Sequence, residues 1–154
     1  MSKDSFYSPG LQFECTLCSR CCRFEPGYVF ISRNDLDRLA SYLSINRGNF
    51  VKKYCRKINL GFKAYLSLKE KKNYDCIFWE GYGCSIYEAR PLQCRSYPFW
   101  RNHLVDARSW NLLQNECPGI NRGVRYSMEY IDYWLNREKS EDYDIIPEIE
   151  EFLD

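Results

Sequence analysis

One histidine and two methionines are all that 154 residues carry of those two types. The single histidine argues against a conventional hydrolase or acid–base enzyme. That scarcity also removes the usual general base, because His103 has no recognisable nucleophile motif beside it. A lone histidine reads first as a structural or surface residue, with metal ligation as its alternative. No stretch approaches the roughly 18 apolar residues of a membrane span. The opening residues MSKDSFYSPGLQ hold no apolar segment of the kind that directs secretion. The expectation is a cytoplasmic protein without membrane attachment, in a compartment where thiols stay reduced. Charge of one sign is missing too, since 22 Lys and Arg stand against 21 Asp and Glu. That balance argues against a generic polyanion binder, nucleic acid included. There is no internal repeat and no low-complexity linker. The length falls within the roughly 100–200 residues of one domain, so residues 1–154 read as a single domain.

What the chain does have is cysteine and aromatic side chains. Thirteen Tyr and nine Phe, with 45% hydrophobic residues overall, suffice for an aromatic core. Nine cysteines make an odd count, which fits a disulfide framework poorly. Metal ligation is the leading explanation for them. Charge is also unevenly spread. Nine Lys and Arg lie between Arg47 and Lys72, and eight acidic residues between Glu138 and Asp154. Two solvated faces that attract each other are the simpler reading. The other is a basic patch at Arg47–Lys72 for an acidic or redox partner protein or for nucleic acid.

Periodicity gives the elements. Tyr28 to Ile31 reads as a short strand or apolar lead-in. Ser32 with Asp35 has the spacing of a capping box, and Leu36, Leu39, Ala40 and Leu43 follow at helical spacing, so Arg33–Ile45 is a helix. Asn49 is placed to cap a second helix with Val51, Tyr54, Cys55 and Ile58 on one face. From Phe62 to Lys69 the pattern alternates as a strand does. Asp75–Trp79 and Cys84–Tyr87 flank EGYG, a hairpin signal. Arg90-Pro91 suits a helix entry and Tyr97-Pro98 its end. His103–Asp106 reads as a short strand, Ser109–Gln114 as a helical turn or two, Tyr126–Arg137 as a helix and Pro147–Leu153 as a last one. The predicted fold is α+β: several short helices around a small antiparallel hairpin or sheet, with a cysteine-ligated metal centre.

The cysteines run Cys15-x2-Cys18-x2-Cys21-Cys22, then Cys55, then Cys76, Cys84 and Cys94, and finally Cys117 before Pro118. Cys55 lies on an apolar face and reads as a small buried hydrophobe. The remaining eight would supply two four-cysteine sites. Neighbouring side chains of an extended stretch point to opposite sides, so Cys21 and Cys22 are better suited to feed two sites than one. The expected partition is Cys15, Cys18, Cys21 and Cys117 against Cys22, Cys76, Cys84 and Cys94. Cys-x2-Cys-x2-Cys is also a run that wraps a [4Fe–4S] cluster, and a ligand followed by Pro has its counterpart in bacterial ferredoxins. Zinc accepts four thiolates as readily, although Cys76-x7-Cys84 is wide for a zinc knuckle unless a hairpin joins its ends. Iron–sulfur and zinc both stay open. Arg23, Arg90 and Arg95, with Arg20, flank the cysteines and could offset thiolate charge or donate to sulfur. Tyr74, Tyr87, Tyr97, Phe99 and Trp100 cluster near the ligand segments and read first as packing.

FECTLCSRCCR, followed by YDCIFWEGYGCSIYEARPLQCRSYPFW, resembles the CxxCxxCC family of YkgJ-type cysteine-cluster proteins, for which zinc or iron chelation is described. The likeness covers about Phe13 to Pro118, with 119–154 a helical C-terminal extension. Gly27, ISRNDLDRLA and the spacing from Cys84 through Arg90-Pro91 to Cys94-Arg95 and Tyr97-Pro98 contribute to it. One departure is Ser19, which stands where the family usually has Gly; a positive φ there would strain a serine. The resemblance implies chelation by the eight cysteines. Related motifs occur in flagellin lysine methylases, thought to use an iron–sulfur cluster. An iron–sulfur protein in electron transfer or serving an oxidoreductase is therefore the first expectation. A zinc-stabilised interaction module is the alternative, and a methylase-related enzyme an outside one.

Overall fold

The computed structural model describes residues 4–153. Met1–Lys3, at the head of the opening stretch, and Asp154, at the end of the acidic run, lie outside the described residues. In chain order the elements are β1 (Leu11–Phe13), α1 (Arg33–Tyr42), α2 (Arg47–Tyr54), β2 (Cys55–Leu60), β3 (Lys63–Leu68), β4 (Trp79–Glu80), β5 (Gly83–Cys84), α3 (Leu92–Ser96), α4 (Ala107–Leu112), β6 (Ile120–Tyr126) and α5 (Met128–Ser140). Short 3-10 turns fill several gaps, at Arg20–Cys22, Arg101–His103 and Pro147–Phe152 among others. The strands form three antiparallel pairs, β1–β6, β2–β3 and β4–β5. The class is α+β, as the sequence predicts. Among the described residues no helix is long and apolar enough to cross a membrane.

The chain divides into two compact units, Met1–Cys21 with Ser96–Ser140, and Cys22–Arg95 with Glu141–Asp154. Each has a core of its own. In the first unit Tyr7, Leu11, Phe99, Trp110, Leu113, Cys117, Ile120, Ile131 and Leu135 are buried together. Phe99 and Trp110 stack there with rings 5.8 Å apart and almost parallel. β1 runs along β6, with Leu11 opposite Tyr126 and a bulge before Phe13, which faces Ile120. This pair escapes sequence reading, because its strands come from opposite ends of the chain.

In the second unit the capping box is present. Ser32 Oγ accepts from the Asp35 amide at 3.0 Å, and Asp35 Oδ2 accepts from the Ser32 amide at 3.2 Å. Asp35 is buried and its other oxygen accepts from the amide of Leu92 at 3.0 Å, tying α1 to the start of α3. Leu36, Leu39 and Ala40 fill the core side of α1. Each leucine contributes about 1.5–3 kcal/mol by leaving water. The helix stops at Leu43 and Ser44 takes φ +55°, so it is shorter than the predicted Arg33–Ile45.

Four further expectations are corrected. Asn46, not Asn49, caps α2, its Oδ1 accepting from the Asn49 amide at 2.8 Å. Cys55 and Ile58 leave the helix and enter β2, which pairs with β3 from Cys55–Leu68 to Leu60–Lys63. Cys55 is nevertheless buried at 3% exposure, so its core role holds in a different element. His103 closes a 3-10 turn where a strand was expected, and Trp100 stacks on its ring at 4.9 Å. The last helix is a 3-10 stretch, Pro147–Phe152.

The lead-in Val29–Ile31 lies along β3, with the Ile31 amide donating to the Leu66 carbonyl and the Leu68 amide to Val29. Lys57–Glu150 at 3.2 Å and Lys63–Asp144 at 2.9 Å join the basic segment to the acidic one. The two opposite runs of charge thus neutralise each other in part.

Candidate metal centre

β1 leads directly into the cysteine run. The Glu14 amide donates to the Gly119 carbonyl at 3.1 Å, which anchors the start of the run beside Cys117-Pro118. A Cβ on Gly119 would stand 1.8 Å from the Glu14 carbonyl oxygen, so no other residue fits there. Beyond this anchor Cys15, Cys18 and Cys21 are exposed, and Cys22 is half-buried. Leu17 and Ser19 both take left-handed conformations, φ +57° and +65°. Ser19 therefore keeps the backbone that glycine would adopt without cost, and carries the strain.

Cys117 is buried at the far end of the first unit's core, its amide donating to the Leu113 carbonyl at 2.7 Å. Tyr97 stands over it. Burial pushes the Tyr97 phenol above its ordinary value, and the Cys117 thiol, with which it shares a hydrogen bond, and then Cys21 push the same way. Phe13, Trp100 and His103 surround the Tyr97 ring edge-on at 5.1–6.4 Å. From sequence Tyr97 reads first as packing and second as a stacking surface. Its contact with Cys117 and closeness to Cys21 make it part of the candidate site. The signal available was its position three residues after Cys94 in a cysteine-flanked aromatic segment.

In the second unit the amide of Cys76 donates to the carbonyl of Cys22 at 2.7 Å. The Cys76 carbonyl accepts from Trp79 at 2.8 Å, and β4–β5 sets Trp79 opposite Cys84. The hairpin expected at EGYG thus folds Cys84 back toward Cys76. Burial pushes the Cys76 thiol up to about 11; the Phe78 amide opposes this, while nearby Cys84 adds to it. Cys94 lies on α3, held by the bond from its amide to the Pro91 carbonyl at 3.0 Å.

The flanking arginines have specific contacts. Arg23 Nε donates to Asp75 Oδ1 at 3.1 Å, and its guanidinium lies 3.6 Å from the Trp79 ring centre and 4.5 Å from that of Phe24. Asp75 is buried and also accepts from Asn73 Nδ2 at 3.1 Å. Arg23 therefore fastens the cysteine run to the segment that carries Cys76. Arg90 covers Tyr87 at 3.9 Å and donates from Nε to its carbonyl at 2.9 Å. Arg95 follows Cys94 on α3, its amide donating to the Pro91 carbonyl at 3.0 Å.

None of the nine cysteines is in a disulfide. The boundary between the units falls between Cys21 and Cys22, so Cys15, Cys18, Cys21 and Cys117 belong to one unit and Cys22, Cys76, Cys84 and Cys94 to the other. Among the described residues no three His, Cys, Asp or Glu side chains stand within common reach of one ion. The donor chemistry, four candidate thiol ligands in each unit with Cys55 besides in the second, fits a thiophilic metal.

An α+β chain rich in cysteine, with none of its nine in a disulfide, is the class that fold and site define. A family model described as "putative zinc- or iron-chelating domain", named CxxCxxCC, matches residues 14–118, and the chain belongs to this family. It is similar to the uncharacterized protein MJ0661 of Methanocaldococcus jannaschii, 30% identical over 99 residues, 63% of this chain and 50% of the relative. The chain thus spans about half the length of the curated relative it matches. No solved structure matches.

Proposed function

We propose that the protein is a cysteine-thiolate metalloprotein with one four-cysteine site in each unit, holding iron–sulfur clusters and serving electron transfer or an associated oxidoreductase in the cytoplasm. Cys15, Cys18, Cys21 and Cys117 would hold one group and Cys22, Cys76, Cys84 and Cys94 the other. The observation that supports this reading is the division of the chain between Cys21 and Cys22, which leaves four of the eight candidate ligands on each side. A bound cluster would supply one-electron chemistry. The chain's own part is to present the thiolates, to set the Tyr97 hydroxyl against Cys117, and to keep the Cys22 and Cys76 segments together. Reduced thiols throughout agree with a reducing compartment.

Zinc is the second reading, since four thiolates suit it equally. It is weakened as a purely structural device by the cores, because each unit already buries an apolar cluster of its own. Anaerobic purification followed by iron, zinc and acid-labile sulfide analysis separates the two. A brown protein that releases sulfide supports clusters. A colourless protein with about two zinc ions per chain turns the reading to zinc, and a metal-free chain sinks both. Within a loaded protein, Cys117→Ser and Cys94→Ser should each remove one of the two groups and leave the other.

A further inference from the structure

Away from the cysteines, the first unit has an open cleft of about 350 Å³ lined by Ser5, Tyr7, Arg101, Leu104, Leu135, Asn136 and Lys139. The volume lies at the lower end of small-molecule sites, about 300–1,000 Å³. Its lining is divided by chemistry. Leu104 and Leu135 are buried residues of the core and supply an apolar surface. Arg101, Asn136 and Lys139 are exposed polar residues at its mouth. Among the described residues, the side chains of Arg101 and Lys139 make no ion pair and no hydrogen bond. This sets them apart from Arg23, Arg47, Lys57 and Lys63, each of which has a carboxylate partner. A carboxylate does stand beside the Tyr7 wall, but it is engaged: the Tyr7 hydroxyl donates to Asp132 Oδ1 at 2.9 Å. The cleft therefore offers two uncompensated cations, an amide and an apolar surface.

We propose that this cleft binds a small organic oxyanion, a carboxylate or phosphate monoester, with the anionic head between Arg101 and Lys139 and the apolar stem on Leu104 and Leu135. Arg101 can meet such a head with two parallel N–H bonds, and Lys139 adds a point charge. The apolar surface explains why a bare inorganic anion would not use the whole site. The proposal is independent of the metal reading, since no cysteine lines the cleft.

The test is amide chemical-shift titration of the isotope-labelled full chain at constant ionic strength, with sodium butyrate, inorganic phosphate and butanol as probes. Saturable shifts at Leu104, Leu135, Asn136 and Lys139 with butyrate or phosphate, and none with butanol, are the expected result. Stronger binding of butyrate assigns a carboxylate with an apolar stem; stronger binding of phosphate assigns a phosphate head. The double variant Arg101→Gln/Lys139→Gln should weaken binding about tenfold or more, while Lys52→Gln, an exposed change elsewhere, leaves it intact. Both target residues are exposed, so the double variant keeps its fold, and the dispersion of its spectrum checks this. Non-saturating shifts, equal shifts with butanol, or unchanged binding in the double variant overturn the proposal.

Discussion

Arg23 lies with its guanidinium 3.6 Å from the ring centre of Trp79 while its Nε holds the buried carboxylate of Asp75 at 3.1 Å. The stack and the ion pair act on one side chain, so the residue after Cys22 is fixed to the segment around Cys76 twice over.

Removing either partner of that pair should have unequal cost. Arg23→Ala leaves Asp75, 3% exposed, with only Asn73 beside it, and should cost about 2 kcal/mol. Asp75→Asn leaves an arginine that water can reach, and should cost about half as much. Urea unfolding of the metal-free protein measures both. Equal losses, or none, would show that Arg23 is not a structural tie.

Ser19 holds φ +65° within the cysteine run. Ser19→Gly should relieve the left-handed strain and, after the greater entropy of an unfolded glycine, stabilise by about 0.5–1 kcal/mol. A fall in thermal midpoint would contradict the backbone assigned there.

Gly119→Ala forces a methyl group onto the Glu14 carbonyl, 1.8 Å from its oxygen. Backbone on both sides leaves nothing flexible to give way. The expected loss exceeds about 3 kcal/mol, with β1 released from β6. Amide exchange at Phe13 and Glu14 should accelerate well before global unfolding, which distinguishes a lost anchor from general damage.

Burial pushes the Cys55 thiol up to about 12. The native chain therefore keeps its proton where the unfolded chain, near the ordinary value of 9.0, has lost it. Stability is fully present below about pH 9 and falls as pH rises toward 12, since the unfolded state binds fewer protons over that range. Cys55→Ala should flatten this alkaline limb and leave metal content unchanged. Native-state alkylation should spare Cys55 while labelling the exposed Cys15 and Cys18 in metal-free protein. Loss of metal in the Cys55 variant would remove it from the core assignment.

Where the sequence was legible, the determinants were local. Ser32 and Asp35 build a capping box three residues apart, and Trp79 and Cys84 meet across a turn of glycines, so spacing alone carried both. Val51, Tyr54, Cys55 and Ile58 also satisfy helical spacing, yet residues from Cys55 onward pair with β3. The helical period was genuine for the first pair only; the cross-strand partners that claimed the rest lie outside any local window. β1 and β6 were invisible for the same reason. For the candidate site, thiol chemistry proposes the eight cysteines residue by residue, while among the described residues no three donor side chains share reach of one ion. The role of Tyr97 was hidden because it depends on a fold that sets its hydroxyl against Cys117.

β3 is flanked on one side by β2 and on the other by Val29–Ile31, while β2 has no further strand beside it among the described residues. An open strand rim is where copies of a chain tend to zip together. Here that rim carries Arg56 and Lys57, and β6, in a second of the three two-stranded ribbons, carries Arg122 and Arg125. Arg56 and Lys57 are tied to Glu70 and Glu150, so the bare margin of β2 presents charged side chains already fastened to the chain's own carboxylates, not loose cations.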